Sequence, residues 1–497
     1  MNRFDKALFG GLFSFFLFVS AGFAQQRPNW QHMDLKTDSV FGISTDRAYR
    51  ELLKGKVARP VTVAVIDAGV DTLHEDLKAV LWVNPRKRRF DSGTYGWSFL
   101  GSAKGNVLVD NLELTRQVRL FQQMDTARLS GADLMAYHRE KKDFDRKRGE
   151  ALANLNGYTG FLRVVDGMVT KIGKPVPVLA DFRAFQVPPG AEAKVRALVI
   201  RVLEAKDDFA AYRAALTEGI SHFKEQVDYQ LNVAYDPRGI VGDDYFNSKQ
   251  KNYGSGDVMG PGASHGTHVS GIIAAVRDNG IGMNGVADQV RILAIRTVPD
   301  GDERDKDVAN AIRYAADHGA KVINMSFGKA YSSDKKAVDA AVRYALRHDV
   351  LLVQAAGNSN ENLDSVANFP NRVFLNGEVA GAYIVVGASG MHNDSTLKAS
   401  FSNYGKRSVD VFAPGVQIYS CVPGSKYDYY DGTSMACPVV AGLAALIREY
   451  YPKLSALQVR DIILKSVVVS PYLAVYCRTG GVVNAFSALS LAATYEQ

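Results

Sequence analysis

Two textures alternate along the second half of the chain: short apolar runs, and longer stretches in which apolar residues return every three or four positions. VTVAVI (61–66) is an early run of the first kind, ending on Asp67, and reads as a buried strand. From about Leu231 onward the alternation is regular. VRILAIR (290–296) predicts a strand and 307–318 a helix; AKVINMS (320–326) predicts a strand and 334–347 a helix. VLLVQAA (350–356) and YIVVGA (383–388) are further strands. Apolar strands alternating with amphipathic helices predict an α/β fold with a mostly parallel sheet covered on both faces.

Residues 109–231 differ. They are rich in charge and poor in strand signals, and Phe209, Tyr212, Leu216, Ile220, Phe223 and Val227 mark one apolar helix face. The periodicity lasts only about three turns, too little for a coiled coil. The expected organisation is a leader at 1–24, an N-terminal extension at 25–56, one core segment at 57–108, a helical insertion at 109–231 and a second core segment at 232–497. The apolar face of the insertion buries either within the insertion or against the rest of the chain.

The leader is read from its pattern. Arg3 and Lys6 are basic, Ala7–Val19 is almost wholly apolar, and Gly22-Phe23-Ala24 offers small residues before a cut at Gln25. The run is short for a membrane span, so an exported protein, periplasmic or secreted, is expected over an uncleaved anchor. The composition of the whole 497-residue chain is ordinary: 47% hydrophobic, 22% charged and a formal charge of +7. It excludes wholesale disorder and gives no argument for nucleic-acid binding. Three cysteines are too few for a disulfide scaffold; Cys421 and Cys477 are left as a possible pair, with Cys437 as a buried apolar residue.

Four glycine-flanked motifs carry candidate chemistry. VAVIDAGVD puts Asp67 at the carboxyl end of a strand, where open α/β sheets bind ligands. SHGTHVSGIIAA puts His265 before Gly266 and an apolar helix; His268 reads as structural, since no HExxH pattern accompanies it. VQAAGNSN places Asn358 after a buried strand. DGTSMACPVVAGLAALI opens a helix that is apolar nearly all round, with Ser434 near unpaired backbone donors. Taken singly, each has a bland reading as a cap or turn residue.

Taken together, in the order Asp, His, Ser, the sequence resembles the subtilisin-like serine proteases, the subtilases. HGTHVSG, GTSMACPVVAG, INMSFG, AAGN, FSNYG, FAPG and GGVVNA all match the family pattern, over about 57–108 and 232–497. The resemblance implies a subtilisin-like three-layer sandwich, with the helical insertion between Asp67 and His265. It implies a serine endopeptidase acting through an acyl-enzyme, with Asp67, His265 and Ser434 as the triad and Asn358 as the oxyanion residue. It also implies that Ser326, Phe327 and Gly328 form one edge and wall of the P1 pocket, and Ala355, Ala356 and Gly357 the other. Their small size predicts an open pocket that tolerates large apolar groups.

The chemistry needs no cofactor. A structural calcium is possible at Asp76, Asp278 and Asn279, by resemblance and because carboxylate and carbonyl oxygens suit that ion. Partners are protein or peptide substrates, with no nucleic acid and no membrane span after leader removal, and the expected form is a monomer. By resemblance the loop holding Asp300, Asp302, Glu303, Asp305 and Asp307 borders the P2 and P4 subsites. Its acidic residues predict a negative rim that selects basic substrate residues. The short stretch 25–60 leaves no room for a folding pro-domain, so the insertion is expected to stand in for it and to restrict the cleft. Two other readings remain: a silent peptide-binding relative, and an esterase, against which the absence of GxSxG counts.

Overall fold

Residues Val61–Asp67 form strand β1, and its side chains sort by parity. Val63 and Val65 enter one apolar cluster, while Ala64 and Ile66 enter another on the opposite face. The computed structural model describes residues 27–85, 91–124 and 129–495. The leader at 1–24 lies outside the described residues. Among the described residues no helix is long and apolar enough to cross a membrane.

The described residues fall into two compact units, Leu114–Tyr235 and the remainder. In the larger unit the strands after β1 are β2 (Gly96–Ser98), β3 (Val290–Arg296), β4 (Val322–Met325), β5 (Leu351–Ala355), β6 (Tyr383–Ser389) and β7 (Val411–Pro414). A hairpin, β8 (Ile418–Val422) and β9 (Lys426–Tyr430), stands apart, and β10 (Val468–Val469) and β11 (Gly481–Val482) close one edge. The sheet has nine strands in the order β10-β11-β7-β6-β5-β4-β1-β3-β2. All neighbours are parallel except β10 with β11.

Helices cover both faces, giving three layers. Helix α1 (Ser264–Ala274) and helix α4 (Thr433–Tyr450) lie in one cluster with Val63, Val65 and Ile292. Helices α2 (Asp305–Asp317) and α3 (Lys335–Arg347) supply the other cluster, with Ile66, Leu293 and Ile323. Each fully buried Val, Leu or Ile contributes roughly 1.5–3 kcal/mol, so these two layers dominate stability. Asp334 caps α3, accepting the Ala337 N–H at 3.0 Å. Helix α2 starts two residues earlier than the apolar pattern predicts, because Asp305 and Asp307 both sit in its first turn, where carboxylates favour the helix dipole.

The smaller unit is helical. Its longest helix, Gly131–Ile172, has 42 residues, is capped by Ser130, and closes at Gly173 in the left-handed region. Tyr158, Phe161, Val165 and Met168 of that helix pack with Phe182, Val195, Val199, Leu203, Phe209 and Leu216. The half-buried Tyr212, Ile220 and Phe223 border the same cluster. The apolar face read at 209–227 is therefore covered from within its own unit. Gly219 permits this, since a Cβ there would meet the Tyr158 ring at 2.7 Å.

All three cysteines are buried free thiols, so Cys421 and Cys477 do not pair. Cys421 lies in the hairpin strand β8, whereas Cys477 belongs to the cluster on the opposite face of the sheet.

Candidate functional site

Strand β1 ends on Asp67, and the sheet there meets the first turns of α1 and α4. Gly266 in α1 is required for this approach. A Cβ on it would lie 2.2 Å from the Gly69 carbonyl oxygen and 3.0 Å from Asp67 Cβ. Without one, α1 seats its first turn on the strand end and brings His265 Nδ1 to 2.8 Å from Asp67 Oδ1. The same carboxylate oxygen accepts the Ala68 N–H at 2.8 Å. The Asp67 side chain is 3% exposed and the imidazole 38%. Burial lowers the basicity of His265, but the Asp67 charge and hydrogen bond outweigh it and hold the ring above its ordinary value of 6.5.

Ser434 is the second residue of α4, where backbone N–H groups have no partner in the preceding turn. Its hydroxyl donates to the Ser326 carbonyl at 3.0 Å rather than to the imidazole. The Ser326 hydroxyl returns a bond to the Ser434 carbonyl at 2.9 Å. Asn358, past the end of β5, has its amide oxygen fixed by Thr433, which donates both its N–H and its hydroxyl at 2.9 Å. That leaves the Asn358 NH2 facing the nucleophile helix. A Cβ on Gly432 would sit 3.4 Å from Asn358 Nδ2 and 3.5 Å from Ser434 N, so both donors border one small space beside that glycine. Two preorganised N–H donors at a common point are suited to a developing oxyanion.

Sequence reasoning passed over Thr433, although it stands inside GTSMA. It also passed over Arg296, the charged last residue of VRILAIR. Arg296 is buried and donates from Nε to the Ala68 carbonyl at 2.8 Å and from Nη1 to Asn106 Oδ1 at 3.0 Å, which braces the turn after Asp67. His268 is structural, as read. It stacks on Tyr430 at 4.3 Å and 7°, lies 3.0 Å from the Ile418 carbonyl, and burial lowers its pKa to about 3.

The subtilase family model matches residues 58–486. The chain belongs to the subtilase family. Over 235 residues it is 39% identical to the thermophilic serine proteinase of Bacillus sp. (strain AK1), covering 47% of this chain and 51% of that protein. Thermitase of Thermoactinomyces vulgaris is 42% identical over 187 residues, 37% of this chain and 61% of thermitase. A cell wall-associated protease of Bacillus subtilis (strain 168) is 39% identical over 204 residues, 41% of this chain and 21% of that protein. The matches thus span about half or less of the first two Bacillus relatives. A solved protease of Pseudoalteromonas arctica PAMC 21717 shares the fold, with a TM-score of 0.50, 20% identity, and coverage of 94% of this chain and 98% of its own.

Two expectations need correction within this subtilase. The slot between 326–328 and 355–357 is not open. Asn368 reaches across it: its Nδ2 lies 3.3 Å from the Ala356 carbonyl, and a Cβ on Gly328 would lie 2.6 Å from its Oδ1. Asn368 also lines a cavity of about 150 Å³ with Gln354, Leu363 and Arg372.

Of the residues expected to hold calcium, Asp76 and Asn279 lie together and Asp278 stands apart. Asp76 is buried, and its carboxylate accepts from Asn279 Nδ2 at 2.7 Å and from the Met283 N–H and Tyr427 hydroxyl at 3.4 Å. Asp278 is not among them, since its carboxylate accepts from Asn284 at 3.3 Å in the exposed turn. Among the described residues no group of three His, Cys, Asp or Glu converges as a metal site.

Three of the loop's five acidic residues do not form a negative rim. Glu303, Asp305 and Asp307 are buried, as are Arg304 and Lys306. Asp307 pairs with Arg238 at 2.6 Å and Asp305 with Lys329 at 2.8 Å, while Arg304 pairs with Asp110 at 2.7 Å. The charges of Arg304, Asp305, Lys306 and Asp307 each meet a partner far away in sequence.

Proposed function

We propose that this chain is an exported serine endopeptidase, periplasmic or secreted, that cleaves peptide bonds through Asp67, His265 and Ser434. The observation that carries the reading is the buried Asp67 carboxylate 2.8 Å from His265 Nδ1, at the same sheet end as the first turn of α4. In this reading His265 takes the Ser434 proton as the hydroxyl attacks the carbonyl, then gives it to the leaving amine. Asp67 holds the tautomer and stabilises the imidazolium. Asn358 Nδ2 and the Ser434 N–H receive the oxyanion. The basic, apolar and small-residue pattern of 1–24 supports export. The test is labelling by a fluorophosphonate, with Ser434→Ala as control. A label that persists in the variant ends the assignment.

Removal of the Asn358 donor is expected to cost about 2.7–4 kcal/mol of barrier, a magnitude taken from subtilisin, itself a member of this family. Asn358→Ala should therefore lower kcat by about 10²–10³-fold with KM little changed. Thr433→Val, which removes the hydroxyl bond to the Asn358 amide oxygen but keeps the main-chain one, should lower kcat by a smaller factor. Steady-state kinetics on one peptide anilide measure both.

Asn368 sets an expectation for P1. With its amide across the slot, small P1 side chains fit and large aromatic ones do not. Asn368→Gly should raise kcat/KM for a Phe P1 peptide relative to its Ala counterpart by about tenfold or more, the scale of one or two methylenes in an apolar pocket. An unchanged ratio shows that the slot does not bind P1.

A further inference from the structure

We infer that Lys329 is a positioning residue, which fixes the groove for an extended substrate by pinning the 326–328 edge to the loop at 300–305 and to Glu113. The inference rests on the protease reading above. The ladder between β4 and β5 ends with Met325 opposite Gln354, so 326–328 runs on beyond it as an edge. Lys329 follows at once. Its main chain is clamped on one side, donating to the Phe369 carbonyl at 2.9 Å and accepting from the Phe369 N–H at 2.8 Å.

Its side chain turns inward and is 1% exposed. The ammonium meets Glu113 Oε2 at 2.9 Å, Asp305 Oδ1 at 2.8 Å and the Glu303 carbonyl at 2.6 Å. Three donors thus meet three oxygens. The partners are themselves held. Asp305 Oδ2 accepts from the Ser332 hydroxyl and the Asp334 N–H, both at 2.7 Å. The Glu113 N–H donates to Asp302 Oδ2 at 2.8 Å. Burial pushes the Glu303 carboxyl up to about 8, against the pull of Lys329.

The loop has a second brace. Asp300 donates to the Leu108 carbonyl at 2.7 Å and its carbonyl accepts from the Asp110 N–H at 2.9 Å. Segment 108–110 therefore runs beside the loop as a parallel bridge at Val109 and Asp300. Glu113 is the last residue before the chain enters the helical unit. One buried cation thus joins the substrate edge, the loop that flanks it and the chain's exit point. Its loss removes the bonds that tie Asp305, Glu113 and the Glu303 carbonyl to the edge, and the edge and the loop would separate. A substrate spanning several subsites along the edge depends on that spacing. A substrate held only at the scissile bond does not.

The test compares a tetrapeptide anilide with a small amino-acid ester in the full-length chain. Lys329→Met is expected to lower kcat/KM for the tetrapeptide on the order of tenfold to a hundredfold, the scale of an ångström-size misplacement, with the ester changed less than about threefold. Lys329→Arg should restore part of the tetrapeptide rate. If Lys329→Met does not fold, Glu113→Gln, which keeps the lysine, should show the same selective loss in smaller measure. Equal losses on both substrates, or a lower melting temperature with the ratio of rates unchanged, overturn the inference while leaving the protease reading intact. A wild-type chain that hydrolyses neither substrate overturns both.

Discussion

Ser434→Ala and His265→Ala are each expected to lower kcat on a peptide substrate on the order of 10⁶-fold, and the double variant to be little worse. That magnitude comes from subtilisin, whose triad behaves as one unit. The reasoning starts from chemistry: a serine hydroxyl is unreactive near neutral pH unless a base removes its proton, and a base without a nucleophile has nothing to activate. The structure also allows the loss to be read as chemistry rather than unfolding. Ser434 Oγ makes one bond, to the Ser326 carbonyl at 3.0 Å, while the return bond from Ser326 goes to the Ser434 main chain and survives the substitution. Stability should therefore change by only about 0.5–1.5 kcal/mol, the usual value of one hydrogen bond. Single-turnover kinetics beside a urea melt separate the two. A Ser434→Ala variant with more than about a hundredth of wild-type kcat would show that another group is the nucleophile.

The parts of this molecule that were readable in the chain are those in which local pattern and tertiary role agree. VRILAIR is strand β3 residue for residue, because a fully buried parallel strand needs a continuous apolar run. Asp67, His265, Asn358 and Ser434 stand beside glycines because their backbones must approach closely, and those glycines show in the sequence. The charges of 300–307 misled for the opposite reason. For 304–307 the partners Asp110, Arg238, Asp243 and Lys329 are scattered along the chain, so a local count reads an acidic rim where the fold buries ion pairs. Asn368 was hidden likewise. It stands outside both wall motifs and enters the slot through the turn of 368–370 against Lys329. Helix Gly131–Ile172 has one buried face, which its many surface charges obscure.

Asp67→Asn should lower kcat by about 10⁴-fold and move the acid limb of the pH profile downward. In the wild type the neutral imidazole is the working base, and Asp67 holds its pKa above 6.5 against the opposing effect of burial. The acid limb of kcat/KM should therefore have its midpoint above 6.5. An amide at position 67 removes the charge but not the burial, so the limb should fall below its wild-type position. The rate falls because an asparagine can present its NH2 to Nδ1 and favour the tautomer with the proton on Nε2, where the base is needed. Stability carries the same signature with a fixed sign. A histidine whose folded pKa is raised contributes stability that is full below 6.5 and is lost as pH rises through the folded value. Wild type should thus lose stability relative to Asp67→Asn across that interval. Profiles of kcat/KM and of urea midpoint from pH 5 to 9, with the two proteins side by side, measure both. An acid limb that does not move, or a loss of rate below tenfold, would mean that Asp67 neither sets the basicity of His265 nor orients it.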